Sequence, residues 1–456
     1  MARQQRQIEK GKYMGHMRRR WVAAPAAAGV MALIVAAPSR AEISASADAG
    51  VGYSDNITRV PDNESSETIG TMGLDLFWQE RTRRLRGDAT VDLAYYEYMD
   101  NTYDSELVGT ANGTLAFGIV PEIFNWVVQD SFGQAQSDPF AASTPGTRED
   151  LNYFTTGPDL TVRLGANGFG RLFGRWSSTD YEDSPLDAER TTAGVAIGRR
   201  PSARSELSLN AVTESIDFDD VQNTDFDRDS VFVGWQLNAS RTTIDANVGY
   251  TWLERDNGDK EGSALISLFL TRDLSASSAL RLTLSQQLGD AGDSLRSQLE
   301  GNVVGGAAGQ ITATSDPFES QLISLDWTYT RGRTGFLLGA SHIEDDYQTA
   351  SQFDSKRNSF TAGVNRRMGS ALTLDFRATL DKEKFTSAAQ ESEELRLAAA
   401  LDWRAWRTLG LRLLVERFDR DSNTGLTEYE ENRAFLTVAY YWGSQDATVR
   451  PGGGYR

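Results

Sequence analysis

Short runs in which oily and polar side chains alternate one by one recur along almost the whole chain, and no other feature limits its fold so sharply. Between Arg84 and Tyr96 the odd positions are Leu85, Gly87, Ala89, Val91, Leu93 and Tyr95, and the even ones are Arg84, Arg86, Asp88, Thr90, Asp92, Ala94 and Tyr96. The run 107–119 sets Leu107, Ala111, Leu115, Phe117 and Ile119 against Thr110, Asn112 and Thr114. Val231, Val233, Trp235 and Leu237 oppose Ser230, Gln236 and Asn238, and Ile244, Ala246, Val248, Tyr250 and Trp252 oppose Asp245, Asn247 and Thr251. Leu372, Leu374, Phe376, Ala378 and Leu380 alternate with Thr373, Asp375, Arg377 and Thr379, and Leu395, Leu397, Leu401 and Trp403 alternate with Arg396 and Asp402. A helix would scatter these charges among the leucines, whereas a strand puts them on opposite faces.

Past residue 41 the longest charge-free stretches, 107–121 and 301–315, are interrupted by glycine and fall short of the roughly 20 residues a membrane-spanning helix needs. Strands of about 9–11 residues cross a bilayer when apolar side chains face lipid and polar ones face a lumen. The links between strands alternate in length. Short ones lie near 80–84, 120–122, 166–168, 200–203, 240–242, 272–275, 331–333, 367–370 and 404–407, most of them rich in Arg. Long acidic ones lie at 62–67, 100–106, 137–149, 182–189, 217–229, 255–261, 289–318, 344–355, 383–393 and 418–431. The expectation is an all-β, transmembrane, antiparallel up-and-down β-barrel of about 20 strands (18–22), running from near Ile43 to Trp442, with the short turns in the periplasm and the acidic loops outside. Pro158 should bulge its strand or end it early.

The first 41 residues read as a signal peptide. Arg18, Arg19 and Arg20 precede an apolar stretch from Trp21 to Pro38, and Ser39-Arg40-Ala41 supplies a small-residue cleavage site. Its removal leaves 415 residues, 42–442 as the barrel and 443–456 as a periplasmic tail, with a net charge of −25. That balance argues against nucleic acid as a partner. No Cys is present and His342 is the one His outside the leader. Disulfide frameworks, thiolate chemistry and multi-His metal sites are therefore excluded.

Two segments resemble known proteins. The closing strand, Ala434 to Trp442, has the aromatic finish of the C-terminal recognition strand of bacterial outer-membrane barrels, although a tail follows it. Ala49-Gly-Val-Gly-Tyr-Ser-Asp-Asn-Ile57, the strand ending at Phe77-Trp78, the Arg-rich turn and Leu93-Ala-Tyr-Tyr-Glu-Tyr98 resemble the putative beta-barrel porin 2 group and the related PEP-CTERM-system-associated barrels. The resemblance covers the opening hairpins and the rest by hairpin rhythm. It implies a bacterial outer-membrane barrel that takes part in exopolysaccharide export, and it brings no catalytic residues.

Other candidates have plainer explanations. His342, followed by Glu344, Asp345 and Asp346, reads as a solvated rim histidine rather than a catalytic one, because no serine partner motif accompanies it. Asp217 to Asp229 is dense in carboxylates but lacks the glycine and terminal Glu of a calcium loop. The glycine run 301–309 has no strand before it and no Lys after it, so it is no phosphate cradle. Trp78, Tyr95, Trp126, Trp176, Trp252, Trp327, Trp403 and Trp442 read as interfacial girdles.

The expected function is a porin-like passive channel with no enzyme activity, cofactor or metal. Its pore-lining residues are expected to be Arg86, Asp88, Asp92, Arg163, Arg175, Asp245, Asp326, Asp375, Arg377, Arg396, Asp402 and Arg412. The alternative is a structural or adhesive barrel whose acidic loops hold divalent ions or a partner. The expected partners are outer-membrane lipid and lipopolysaccharide, the barrel-assembly machinery, and exopolysaccharide or its export components. The long loop 289–318 is the natural candidate to fold inward and narrow the opening.

Overall fold

The computed structural model describes residues 41–300, 310–425 and 427–443. The expected leader up to Arg40, the glycine run 301–309 and the tail beyond Gly443 lie outside them.

The alternating runs form twenty strands. They are β1 (Glu42–Ser54), β2 (Glu67–Arg81), β3 (Leu85–Tyr98), β4 (Glu106–Val120), β5 (Phe124–Gln136), β6 (Arg148–Leu164), β7 (Gly168–Tyr181), β8 (Ala188–Ser202), β9 (Ser205–Phe218) and β10 (Phe226–Asn238). There follow β11 (Thr242–Arg255), β12 (Lys260–Ser275), β13 (Ser278–Gly289), β14 (Phe318–Arg331), β15 (Thr334–Tyr347), β16 (Ser355–Arg367), β17 (Leu372–Phe385), β18 (Gln390–Trp403), β19 (Leu409–Ser422) and β20 (Tyr429–Gly443). Each pairs antiparallel with the next, and β1 pairs with β20 from Ser44↔Gly443 to Ser54↔Arg433. The sheet is thus a closed barrel with no free edge, as a strand-built membrane protein requires.

In every strand but β13, which has none, one parity class carries the exposed large apolar residues, Val120 at the very end of β4 apart. Across the wall Val51 pairs with Leu436, Leu436 with Leu413, Leu413 with Leu401, and Leu401 with Leu374. All five are between about 37% and 53% exposed, which marks the lipid face. The opposite class is the inner wall. Trp126, Trp403 and Trp442 stand near the short-turn end of the outer face, and Tyr95, Trp176 and Trp252 stand toward the loop end. Two aromatic girdles are the ordinary device for anchoring a barrel at its interfaces.

Turns of two to five residues close one end and loops of four to 28 residues the other. In the two-residue turn after β14, Gly332 has φ 61°, a left-handed conformation that suits glycine. The strands, at 12 to 17 residues, are longer than a bilayer requires. They therefore run on past the lipid belt, and the acidic links are shorter than their charge suggests. The segment read as a loop at 217–229 is a loop only at 219–225, and those at 255–261, 383–393 and 418–431 shrink to 256–259, 386–389 and 423–428. Their carboxylates instead project from strand ends, where Arg and Lys on neighbouring strands pair with them, as Lys382 does with Glu393 at 2.6 Å. Pro158 does not end β6. It pairs with Trp126 of β5, but the β6–β7 ladder skips residues 157 and 158, where proline has no N–H to donate.

Candidate functional site: the lumen and its lid

All twelve residues expected to line the pore project from the inner parity class. They spread around the wall rather than converge. Arg175 donates to Asp159 at 2.7 Å, Arg396 to Glu416 at 2.5 Å and Arg163 to Glu122 at 3.1 Å. Asp245 accepts from Gln236 at 2.9 Å and Asp375 from Asn365 at 3.0 Å. Asp402 and Arg412 come within 3.8 Å of each other. Near the short turns this wall is open to water, with Arg86, Asp88 and Arg163 exposed. Toward the loops the inner charges are buried, among them Arg190, Arg228, Glu416 and Glu431.

What buries them is chain folded into the mouth. The loop after β13 carries helix α1 (Ala291–Glu300). Asp290 caps it by accepting from the Asp293 N–H at 2.9 Å, the ordinary chemistry of a helix start. Leu295 packs with Ala135, Leu151, Tyr153, Tyr181 and Ile311 on the β5–β7 side of the lumen. Small residues permit the approach. A Cβ on Gly133 would stand 2.7 Å from Leu295 Cδ1, and one on Gly292 would stand 3.0 Å from both Tyr153 and Thr179. Beyond the glycine run the chain adds itself to β5: the Gln136 N–H donates to Ile311 O at 2.7 Å, and the Ala313 N–H donates to Gln136 O at 2.9 Å.

Charges fix both ends of this lid. Arg190 of β8 bonds Asp290 and, at 2.8 Å, Asp293. Arg228 of β10 bonds Asp293 at 2.7 Å, Glu214 of β9 through Nε at 2.7 Å, and the Leu288 carbonyl at 2.8 Å. Burial works to raise Asp293, but Arg190 and Arg228 outweigh it and hold the carboxyl well below the usual range. At the far end Arg255 of β11 donates to Asp316 at 2.6 Å, and Asp316 also accepts from the Thr349 and Ala350 N–H groups at 2.8 and 2.9 Å. Burial again opposes ionisation, and these donors overcome it, so Asp316 too sits below the ordinary carboxylate value.

A second loop, 137–147, reaches the opposite wall. Phe140 meets the rings of Phe385 at 4.8 Å and Phe353 at 5.9 Å, and Gln390 donates to its carbonyl at 2.7 Å. Ala142 packs with Phe418 and Tyr429, and Arg59 donates to Ser143 O at 2.7 Å and to Glu431 at 2.8 Å. The two inward loops meet where residues 311–313 pair with Gln136. The loop end is therefore covered, while at the short-turn end inner charges such as Arg86 and Arg163 are exposed.

None of Arg190, Glu214, Arg228, Arg255, Asp290, Asp293 or Asp316 is among the expected pore residues. Their one sequence signal is that Asp290 and Asp316 flank the longest link. His342 lies on the outer face of β15 above the lipid belt, its Nδ1 2.9 Å from Asn358 Oδ1 and its Nε2 4.0 Å from Glu344. Among the described residues no group of three or more His, Asp or Glu is placed to hold a metal ion.

A closed barrel with an apolar belt outside, a charged wall inside, short turns at one end and loops folded into the other defines a porin-like protein of the bacterial outer membrane. Residues 322–441 match the family model described as Putative beta-barrel porin 2. The match falls on β14 to β20, not on the opening hairpins whose Tyr53-Ser-Asp-Asn56 element carries the resemblance in the sequence. Among solved structures, a mutant of the ferric enterobactin receptor PfeA from Pseudomonas aeruginosa is similar at 12% identity, over 89% of this chain and 81% of that one, with a TM-score of 0.46. OccK2 (OpdF) from Pseudomonas aeruginosa is similar at 11% identity, over 89% and 99%, with a TM-score of 0.37. A BenF-like porin from Pseudomonas fluorescens Pf-5 is similar at 12% identity over the same shares, with the same score. No curated protein matches the chain.

Proposed function

We propose that the barrel is a passive conduit for a hydrophilic polymer, an exopolysaccharide leaving the cell, and that it is shut at its outer mouth until the lid moves. One observation carries the reading: a charged inner wall, exposed to water at the short-turn end, ends beneath two loops held across the other end, and in this reading the short-turn end faces the periplasm. Barrels of 16 to 18 strands already enclose an aqueous channel, so twenty strands leave room for a polymer once the mouth is clear. In this reading the inner charges, from Arg86 to Arg412, wet the path, except Asp326, which is buried in the wall at 3% exposure. Because cations and anions interleave, they impose little ion selectivity. No covalent step is involved. Lipid and lipopolysaccharide surround the belt, the aromatic closing strand serves the assembly machinery, and export components deliver the polymer from the periplasmic side. Deleting the gene should lower surface polysaccharide while polymer is retained inside the cell envelope, and an unchanged surface polymer would refute the export assignment.

The covered mouth favours one other reading, a closed structural barrel that conducts nothing. Planar-bilayer recordings separate the two, since that barrel stays silent even when its inward loops are shortened.

A further inference from the structure

We propose that Arg190 and Arg228 form a carboxylate-binding site of the lumen which α1 occupies in cis, with Asp290 and Asp293 standing where the carboxylates of an acidic glycan sit once the lid is displaced. The inference deepens the conduit reading, on which its glycan assignment rests, by naming the chemistry of the polymer.

The wall supplies two guanidinium groups and one carboxylate, Arg190, Arg228 and Glu214, whose side chains are 4%, 9% and 15% exposed. The wall groups alone carry one net positive charge, and the lid brings the cluster to neutrality by adding Asp290, Asp293 and Arg296, whose guanidinium lies 3.4 Å from Asp293. Asp290 answers Arg190, and Asp293 bridges Arg190 and Arg228 at 2.8 and 2.7 Å. A lid that swings out uncovers both guanidiniums to water and leaves the wall with a net positive charge beside Glu214, a setting that attracts another anion of the same planar chemistry. Guanidinium forks match planar carboxylates, and both forks here point into the lumen from alternate strands, β8 and β10. Tyr153 lies beside them on the wall, its ring 5.7 Å from the guanidinium of Arg190. An aromatic face next to an arginine suits a sugar ring bearing an acid group. A ligand that binds the wall only when the lid is away shifts the equilibrium toward the open state, and neutralising the lid's carboxylates must in turn tighten that ligand.

The test is calorimetric titration of the whole barrel in detergent with tri-galacturonate, with citrate and neutral maltotriose in parallel. Asp290→Asn/Asp293→Asn should bind tri-galacturonate at least about tenfold more tightly than the unaltered protein, because the competent fraction rises. Adding Arg190→Gln and Arg228→Gln should abolish that binding. Asp316→Asn loosens the far end of the lid without touching the site and should shift affinity in the same direction as the double variant. No gain in the double variant and in Asp316→Asn overturns occupancy in cis. Equal binding of maltotriose overturns carboxylate recognition, and equal binding of citrate overturns the glycan assignment in favour of small polycarboxylates. Binding is read apart from conduction. A conducting barrel without this binding refutes the site alone, and a barrel that binds but never conducts refutes the conduit.

Discussion

Val248→Arg and Asn247→Arg place the same cation on neighbouring residues of β11, and the two should differ in cost by orders of magnitude in folding equilibrium. The outward positions of this strand are Ile244, Ala246, Val248, Tyr250 and Trp252, and Val248 is the middle one, 61% exposed on the lipid face. At about 3.3 Å per residue and a tilt near 45°, positions 244 and 252 stand roughly 9 Å below and above it along the membrane normal. An arginine there lies at the midplane of the apolar band, where it costs about 2–4 kcal/mol, a factor of about 30 to 900. Asn247 faces the inner wall between Gly234 and Ser267, where an added guanidinium meets water. Urea titration of folding into lipid vesicles, read by heat-modifiable migration on gels, should show Val248→Arg strongly destabilised and Asn247→Arg within about 1 kcal/mol of the parent. Equal stability of the two, or the reverse order, would refute the register on which the lumen rests.

Further outcomes follow from the same geometry. An epitope inserted at Val221, 78% exposed in the β9–β10 loop, should be stained on intact cells, and one inserted at Gly332 should require permeabilisation; the opposite pattern would invert the barrel. Asp293 and Asp316 titrate below their ordinary values, so the stability they lend the lid is fully present above the unfolded carboxylate pKa near 4 and is lost as pH falls through their folded values. Bilayer recordings should accordingly stay closed from pH 7 to about pH 5 and open only below about pH 4, whereas opening near pH 6 would remove these carboxylates from the latch. Phe140→Ala, which frees the 137–147 loop from Phe353 and Phe385, should weaken its docking by about 1–2 kcal/mol and raise the open probability about five- to thirtyfold. An unchanged open probability would mean that this loop does not close the mouth.

The barrel was legible because lipid imposes a strict rule. Within the band, Val231, Val233 and Trp235 must face one way, so Ser230 and Gln236 must face the other, and the period declares itself in a single strand. The same rule put the charges of those strands, Asp375 and Arg377 among them, on the inner parity class. Strand ends were harder to place, since beyond the lipid both faces are polar. Asp227 and Asp229 point outward and Arg228 inward, yet all three look alike in a list of charges. The lid was visible only as an over-long link. Its anchor joins Asp293 to Arg190, 103 residues apart, and Gln390 reaches Phe140 over 250 residues. No periodicity reports such distances. They follow from closure of the barrel, which brings the tops of strands remote in sequence around one mouth.

The central claim is a water-filled conduit closed from outside by its own inward loops, and single-channel recording tests it most directly. The unaltered barrel should be silent or conduct weakly in a planar bilayer. A variant lacking residues 291–313, and more so one that also lacks 138–146, should show large, stable steps that carry cations and anions with little preference. Correctly folded variants that remain silent with both loops removed would contradict the account, and so would an unaltered barrel that already conducts at the level of the double deletion.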